Sequence, residues 1–184
     1  MSSRTLIGSA VVPIRLVFLM WLAFAVDFLY GYDLAIFGIF PRSIIGAIGI
    51  VTAPLIHANP VHLLSNTVPL LFLGPTLFFY YHKIASAVFL RCYFITNLLV
   101  WFFARPYLHI GASGLVYGLA SFLIFFGFFR RDFLSLIISV IVLLLYGSIF
   151  YGILPANSNI SWESHLAGGV VGMVTAVQFR RKRI

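Results

Sequence analysis

The sequence is poor in charged residues, and above all in acidic ones. Only 4 of its 184 residues are Asp or Glu, and charged residues make up 9% of the chain. Metal centres and aspartyl dyads draw on carboxylates, and a classical catalytic triad needs one behind its histidine. The few histidines also do not follow the His-Glu-x-x-His order of a zinc protease. The composition therefore argues against these three kinds of site.

Cysteine is almost missing as well. The single residue, Cys92, excludes an intramolecular disulfide and a cysteine-rich metal site. It lies in an apolar run, where we expect it to pack and to do no chemistry. We expect no metal and no cofactor.

Apolar residues are what the chain has in abundance. Hydrophobic residues account for 62% of it and its mean hydropathy is +1.08, which is far outside the range of soluble domains. The net charge of +8 does not indicate nucleic-acid binding, because the basic residues lie at the ends of apolar runs and in the tail Arg180–Arg183. That distribution is typical of an integral membrane protein whose cytoplasmic side meets anionic lipid.

Six apolar runs are each close to the roughly 20 residues that cross a hydrocarbon core. They predict a single all-α membrane domain over residues 1–184, with spans at about 11–30, 61–81, 84–104, 113–129, 133–154 and 162–179. Residues 31–60 are less regular, since glycine and proline interrupt them. A seventh span there would place the N-terminus outside, against the charge rule. We therefore expect a loop of short helices that lies partly in the outer leaflet.

The basic residues predict the orientation of these spans. Nine of them fall on one side and two, Arg42 and Arg105, on the other; the nine are Arg4, Arg15, Lys83, Arg130, Arg131 and the four of the tail. This places both termini in the cytoplasm of a plasma (inner) membrane. Arg91 and Asn97 lie within a span, where we expect them to bond to neighbouring helices or to reach toward the membrane surface.

One octet combines a nucleophile with glycines, Gly111-Ala112-Ser113-Gly114-Leu115-Val116-Tyr117-Gly118. A serine that opens a helix lies among unpaired backbone amides, which is where an oxyanion is stabilised. Ser113 and Tyr117 share a helix face, and Gly114 and Gly118 form a small-residue strip beside it. By itself the octet also fits a membrane helix that merely packs through small residues.

Two further segments carry suitable partners. His165 is followed at three and seven residues by Gly168 and Gly172, so it heads a helix face that allows close contact. Earlier in the chain, His57 precedes His62 and Asn66, which are four residues apart and could donate hydrogen bonds to an oxyanion.

The order of these three motifs resembles the rhomboid family of intramembrane serine proteases. The resemblance spans roughly residues 41–172 and implies a six-span bundle, a loop partly embedded after the first helix, and substrates that are single-pass membrane proteins cut near the extracytoplasmic face. The chain departs from the family pattern in one respect. Many rhomboids carry a Trp-Arg pair in that loop, whereas this sequence has Phe40-Pro41-Arg42.

These residues suggest a catalytic dyad. Ser113 would attack the scissile carbonyl and His165 would act as the base. Glu163 is two positions from His165 and would point away from it on a helix, so we expect Tyr117 to orient the imidazole by stacking. We assign the oxyanion hole to His62, Asn66 and the Ser113 amide, and assign His57 to loop anchoring or a water-holding cavity.

The glycines explain how a serine and a histidine on two spans could meet. We expect Gly168 and Gly172 to face Gly114 and Gly118, and Ala176 to lie on the lipid face. Two other functions stay open, a rhomboid-like protein that binds membrane clients without cutting them and, less favoured, a small transporter. The oligomeric state is not indicated by the sequence.

Overall fold

The computed structural model describes residues 5–154 and 161–182, and within them the fold is all-helical, as expected. Seven α-helices follow one another: α1 Leu6–Tyr30, α2 Gly49–Thr52, α3 Pro60–Tyr80, α4 His82–Phe103, α5 Ser113–Arg130, α6 Phe133–Tyr146 and α7 Trp162–Phe179. Short 3₁₀ helices lie at Leu34–Phe37, Ile45–Ala47, Ala53–Leu55 and Gly147–Ile153. Arg4 and Arg183, which entered the orientation argument, lie outside the described residues.

The helix limits agree with the apolar runs except at two places. α1 begins five residues before position 11 because the Thr5 hydroxyl accepts a hydrogen bond from the Gly8 amide (3.0 Å) and caps the helix. The run predicted at 133–154 is not one α-helix, since α6 ends at Tyr146 and the chain continues as the 3₁₀ helix Gly147–Ile153. Apolar composition alone does not distinguish these two helical forms.

Four helices of the described part are long and apolar enough to cross a membrane, namely α1, α3, α4 and α5. α6 has only 14 residues, which gives about 21 Å of helix against a core of about 30 Å. α7 has a sufficient length of 18 residues but carries Glu163, Ser164 and His165 in its first turn. The count of six spans therefore remains a prediction.

α5 is the central helix of the bundle. In its most apolar stretch of 18 residues, 72% of the residues are buried, whereas the corresponding share in α1 is 28%. Leu119, Phe122 and Phe126 are enclosed in the core, and Cys92 of α4 is fully buried against the Gly118 position. Whatever lies at the start of α5 is thus held by a helix that packs on almost every side.

Residues 31–60 form short helices that rest on the end of α4. The Arg42 guanidinium donates to the carbonyls of Phe102 (3.1 Å) and Ala104 (2.8 Å). Trp101 Nε1 donates to the Ser43 carbonyl (2.9 Å), and Asn97 Nδ2 to the Ile50 carbonyl (3.0 Å). Asn97 therefore bonds to the loop and not to another long helix, because its side chain faces the segment that covers α4.

This loop also holds the segment that leads into α5. Ile39 and His109 exchange two backbone hydrogen bonds of 2.9 Å, and the Gly111 amide donates to the Ala53 carbonyl (2.9 Å). The residues just before Ser113 are therefore fixed by backbone contacts to a part of the chain that is distant in sequence.

Candidate active site

Ser113 is the first residue of α5 and directly follows the anchored segment. The turn before it needs glycine, since Gly111 has a φ of 102° and a Cβ there would come within 2.5 Å of His62 Nε2. The His62 ring can therefore lie against the backbone at Gly111. The first amides of α5 have no partner within the helix and are available at the position of Ser113.

The structure brings Ser113 and His165 together. Ser113 Oγ lies 2.9 Å from His165 Nε2, and the histidine is 8% exposed. The ring of Tyr117 stacks on the imidazole, with 4.0 Å between the ring centroids and 8° between the planes. A hydroxyl, an imidazole nitrogen and an aromatic ring thus occupy the relative positions that a serine, its base and an orienting group require.

The second ring nitrogen of His165 has a partner that sequence reasoning missed. Its Nδ1 lies 2.9 Å from the carbonyl oxygen of Gly152, in the 3₁₀ helix after α6. A carbonyl can only accept, so Nδ1 must carry the proton and a neutral ring leaves Nε2 free to accept from Ser113. A Cβ at Gly152 would overlap the Tyr117 hydroxyl. A backbone carbonyl has no signature in a sequence, and only the glycine itself could have drawn attention to this position.

Glu163 is not part of this arrangement. Its carboxylate forms an ion pair with Arg105 Nε at 3.0 Å. Within the part of the chain that the structure describes, the two ion pairs are this one and Arg130–Asp132, and neither places a carboxylate on His165. The group behind the histidine is the Gly152 carbonyl.

Glycines allow the two helices to meet at the predicted faces. A Cβ at Gly168 would overlap the carbonyl oxygen of Gly114, and a Cβ at Gly172 would overlap that of Gly118. The helices thus approach more closely than side chains would permit. The prediction that Ala176 faces lipid is wrong: Ala176 is fully buried, because spacing of four continues the Gly168 and Gly172 stripe.

His62 and Asn66 lie on α3 and line the same cleft as Ser113 and His165. Asn66 Nδ2 donates one hydrogen to the His62 carbonyl at 2.8 Å, and Asn66 is only 2% exposed. The second hydrogen on Nδ2 takes no part in this bond. The cleft has a volume of about 660 Å³.

His57 lies beside these groups but contacts the nucleophile segment. Its Nε2 is 3.5 Å from the Ala112 amide, its Nδ1 is 3.4 Å from the Leu55 carbonyl, and its ring meets His62 edge to face. Burial, helped by the neighbouring His62, lowers the pKa of His57 from 6.5 to about 4. A neutral ring can accept the Ala112 hydrogen, which fits the anchoring alternative for this residue.

The described residues contain no group of three or more His, Cys, Asp or Glu that could hold a metal ion. The polar side chains that line the cleft carry hydroxyl, imidazole and amide groups. Their chemistry is that of proton transfer and hydrogen bonding.

Known proteins are similar to this sequence over most of its length. The family model of the rhomboid domain matches residues 46–182. An uncharacterized protein of Mycobacterium tuberculosis is 35% identical over 184 residues, which covers 94% of this chain and 75% of that protein. An uncharacterized protein of Mycobacterium leprae is 37% identical over 70% of this chain and 54% of its own length. A Bacillus subtilis protein named as a candidate rhomboid protease is 29% identical over 73% of this chain and 69% of its own length.

Proposed function

The chain belongs to the rhomboid family, and on this premise we propose that it is an intramembrane serine endopeptidase that cuts transmembrane proteins near the extracytoplasmic face. The observation that carries the proposal is the 2.9 Å contact between Ser113 Oγ and His165 Nε2, in a cleft where several polar side chains meet inside an apolar bundle. Polar groups at such positions in membrane helices usually serve function, because burying them is costly.

In the first step the Ser113 proton passes to His165 Nε2 while Oγ attacks the scissile carbonyl carbon. The proton on Nδ1 stays bonded to the Gly152 carbonyl, so the imidazolium that forms is held by one hydrogen bond and by the Tyr117 ring. His165 then gives the Nε2 proton to the leaving amine, and the acyl group remains on Ser113. A water molecule then attacks the acyl carbon and loses a proton to the same nitrogen. The bond from that carbon to Ser113 Oγ breaks, and His165 returns the proton to Oγ, which frees the carboxylic acid product and restores the dyad.

The negative oxygen formed in each step needs donors. We assign the backbone amide of Ser113 at the start of α5, the second hydrogen of Asn66 Nδ2 and the His62 imidazole. Loss of one such donor commonly costs about 3 kcal/mol of transition-state stabilisation. The close approach of the His62 ring to the glycine turn at position 111 supports this assignment.

We propose that six helices cross the membrane, namely the four long helices together with α6 and α7. Both termini would then lie in the cytoplasm, and the membrane would be a plasma membrane. Ser113 is the first residue of α5 and His165 lies in the first turn of α7, so both are at the extracytoplasmic end of their helices in this topology. Residues 31–60 would then lie partly in the outer leaflet. Reporter fusions after Lys83 and Asp132 should score cytoplasmic and a fusion after Arg105 extracytoplasmic; the reverse pattern would invert the topology.

The substrates we propose are single-pass membrane proteins with helix-weakening residues near the cut. A peptide bond can reach Ser113 only in an extended segment, and a stable helix keeps its carbonyls bonded internally. The physiological client has no signature in this chain.

The test is cleavage of a model transmembrane substrate by the purified protein. Ser113→Ala and His165→Ala should each abolish cleavage, and the double variant should lose little more because the two groups act as a unit. Ser65→Ala is the matched control, since this serine lines the same cleft and donates to the His62 carbonyl of its own helix (2.8 Å). Glu163→Gln should also retain most activity.

A folded wild-type protein that binds the substrate without cutting it would favour the client-binding alternative. Cleavage by Ser113→Ala at the wild-type rate would show that another group is the nucleophile. Loss of activity in Glu163→Gln as complete as in His165→Ala would replace the dyad with a triad.

A further inference from the structure

A second contact between a serine and a histidine lies one turn before the first. His109 Nδ1 is 2.6 Å from Ser161 Oγ. His109 is four residues before Ser113, and Ser161 is four residues before His165. The two segments that form the dyad are thus joined twice, and the residue types are exchanged in the second contact.

The hydrogen-bond directions in this second pair follow from its neighbours. His109 Nε2 lies 3.2 Å from the Arg105 carbonyl, which can only accept, so Nε2 carries the proton. His109 is only 1% exposed, and this burial lowers its pKa and favours the neutral ring. Nδ1 then accepts the Ser161 hydrogen. Ser161 Oγ in turn lies 2.6 Å from Ser164 Oγ, which donates to it.

Both partners are attached to the backbone that carries the dyad. His109 exchanges two hydrogen bonds with Ile39 and so fixes the segment that ends in Ser113. The carbonyl of Ser161 accepts hydrogen bonds from the Ser164 amide (3.1 Å) and the His165 amide (3.3 Å). A displacement of Ser161 would therefore move the turn that holds His165.

The dyad cannot keep its own separation constant through a reaction cycle. When Ser113 is acylated, its oxygen no longer has a hydrogen to share with His165, and the hydrogen bond between these two side chains is lost. Water must nevertheless be activated by His165 beside the acyl group, in unchanged geometry. The glycine seam keeps the two helices close together, and a polar contact that takes no part in the proton transfers would also keep their first residues in register.

We propose that His109 and Ser161 are positioning residues that fix the first turn of α7 against the start of α5 throughout the reaction. The inference rests on the proposed serine protease function. Ser161 also lines the cleft, so labelling of the Ser113→Ala protein tests whether it is itself a nucleophile.

The experiment compares a conservative and a disruptive change at each position. His109→Asn keeps an acceptor near the place of Nδ1 and Ser161→Thr keeps the hydroxyl, whereas His109→Leu and Ser161→Ala remove the contact. The readouts are kcat and KM for a transmembrane substrate and the rate at which a small fluorophosphonate labels Ser113. We expect the disruptive variants to lose roughly tenfold to a hundredfold in kcat and labelling, as for a displacement of about 1 Å, with KM within about twofold. The conservative variants should recover most of this loss.

The matched control is Ser121→Ala. The Ser121 hydroxyl donates to the Gly169 carbonyl at 2.7 Å and joins the same two helices about two turns farther from the dyad. Its loss should leave kcat and labelling within about twofold of wild type. An equal loss in Ser121→Ala and Ser161→Ala would show that the second pair contributes helix adhesion alone and would overturn the proposal.

Two more results would overturn it. One is fluorophosphonate labelling of Ser161 in the Ser113→Ala protein, which would make Ser161 a second nucleophile. The other is additivity of His109→Leu and Ser161→Ala in thermal unfolding, since partners in one contact should show a double-variant loss smaller than the sum. The unfolding measurements do not depend on activity, so they test the contact even in a protein that is not a protease. A wild-type protein that neither cleaves nor is labelled at Ser113 would overturn the proposed function itself.

Discussion

α6 and α7 both pack on α5, but they are fixed to it at opposite ends. α7 meets α5 where both helices begin, through Gly168 against Gly114 and through the dyad. α6 meets α5 near the other end, where a Cβ at Gly127 would overlap the Ser135 carbonyl and the Ser139 hydroxyl donates to the Ile124 carbonyl (2.6 Å).

At the end near the cleft, α6 presents Tyr146 to α3. Its ring lies 5.7 Å from that of Phe72, with 38° between the planes, and Tyr146 also lines the cleft. A ring contact of this kind is worth about 0.5–1.5 kcal/mol, far less than a packed helix seam. Ser113 and His165 thus lie beside the glycine seam of α5 and α7, and for the proposed protease we expect a substrate to enter beside α6, where opening should cost less than at that seam.

The largest expected effect comes from closing the gap between α7 and α5. Gly168→Ala should lower cleavage by roughly a hundredfold or more, because the new methyl group must displace the Gly114 carbonyl and separates Ser113 from His165. Gly169→Ala is the matched control at the adjacent glycine, where the nearest atom to a new Cβ is Ile153 Cδ1 at 3.7 Å. Steady-state cleavage assays on both folded variants measure the difference. Similar rates would show that the glycine seam does not set the dyad.

A smaller effect is expected from the stacked ring. Tyr117→Leu should reduce kcat about tenfold, since a stacked aromatic pair contributes up to about 1.5 kcal/mol and orients the imidazole. Tyr117→Phe keeps the ring at 4.0 Å from His165 and should retain most of the rate. If the phenylalanine variant were as slow as the leucine variant, the hydroxyl and not the stacking would be responsible.

Weakening the contact between α3 and α6 should raise the cleavage rate instead of lowering it. Phe72→Ala removes the ring contact with Tyr146 and should raise cleavage of a transmembrane substrate about threefold, within the range that such a contact can supply. Labelling of Ser113 by a small phosphonate should not change, because that probe needs no opening between helices. The exposed neighbour Leu71 provides the control Leu71→Ala. A loss of cleavage in Phe72→Ala alone would place the entrance elsewhere.

The smallest effect is expected at the far end of α6. Ser139→Ala removes the hydrogen bond to the Ile124 carbonyl and should lower the free energy of unfolding by about 1 kcal/mol. Cleavage should stay within about twofold of wild type, since this end is remote from Ser113. Thermal unfolding and the cleavage assay measure the two quantities together. A large loss of activity without loss of stability would contradict the separation of the two ends.

The sequence predicted well those features that repeat along a helix. Spacing of four placed Tyr117 beside Ser113 and put Gly168 and Gly172 on the face that meets α5. The same spacing should have placed Ala176 on that face, and assigning it to lipid was a failure to continue the pattern. Helix starts were also predictable where a cap or a proline marks them, as at Asn59 and Pro60.

Contacts made by the backbone or between distant loops could not be predicted. The Gly152 carbonyl on His165 Nδ1 depends on how the chain turns after α6, which no side chain records. The contact of His109 with Ser161 was not predicted either, since it depends on the pairing of His109 with Ile39, which only the fold produces. The functional roles of Ser113, His165, His62 and Asn66 remain predictions.

The burial of Cys92 gives this molecule a practical advantage for spectroscopy. The thiol lies between α4 and α5 with no exposed surface, so a reagent added to the folded protein would not reach it. New cysteines placed at the exposed positions Leu71 and Leu144 could then carry spin labels without removal of the natural one. The distribution of distances between the two labels would report directly whether the middle of α3 and the last turn of α6 separate when a model substrate is added.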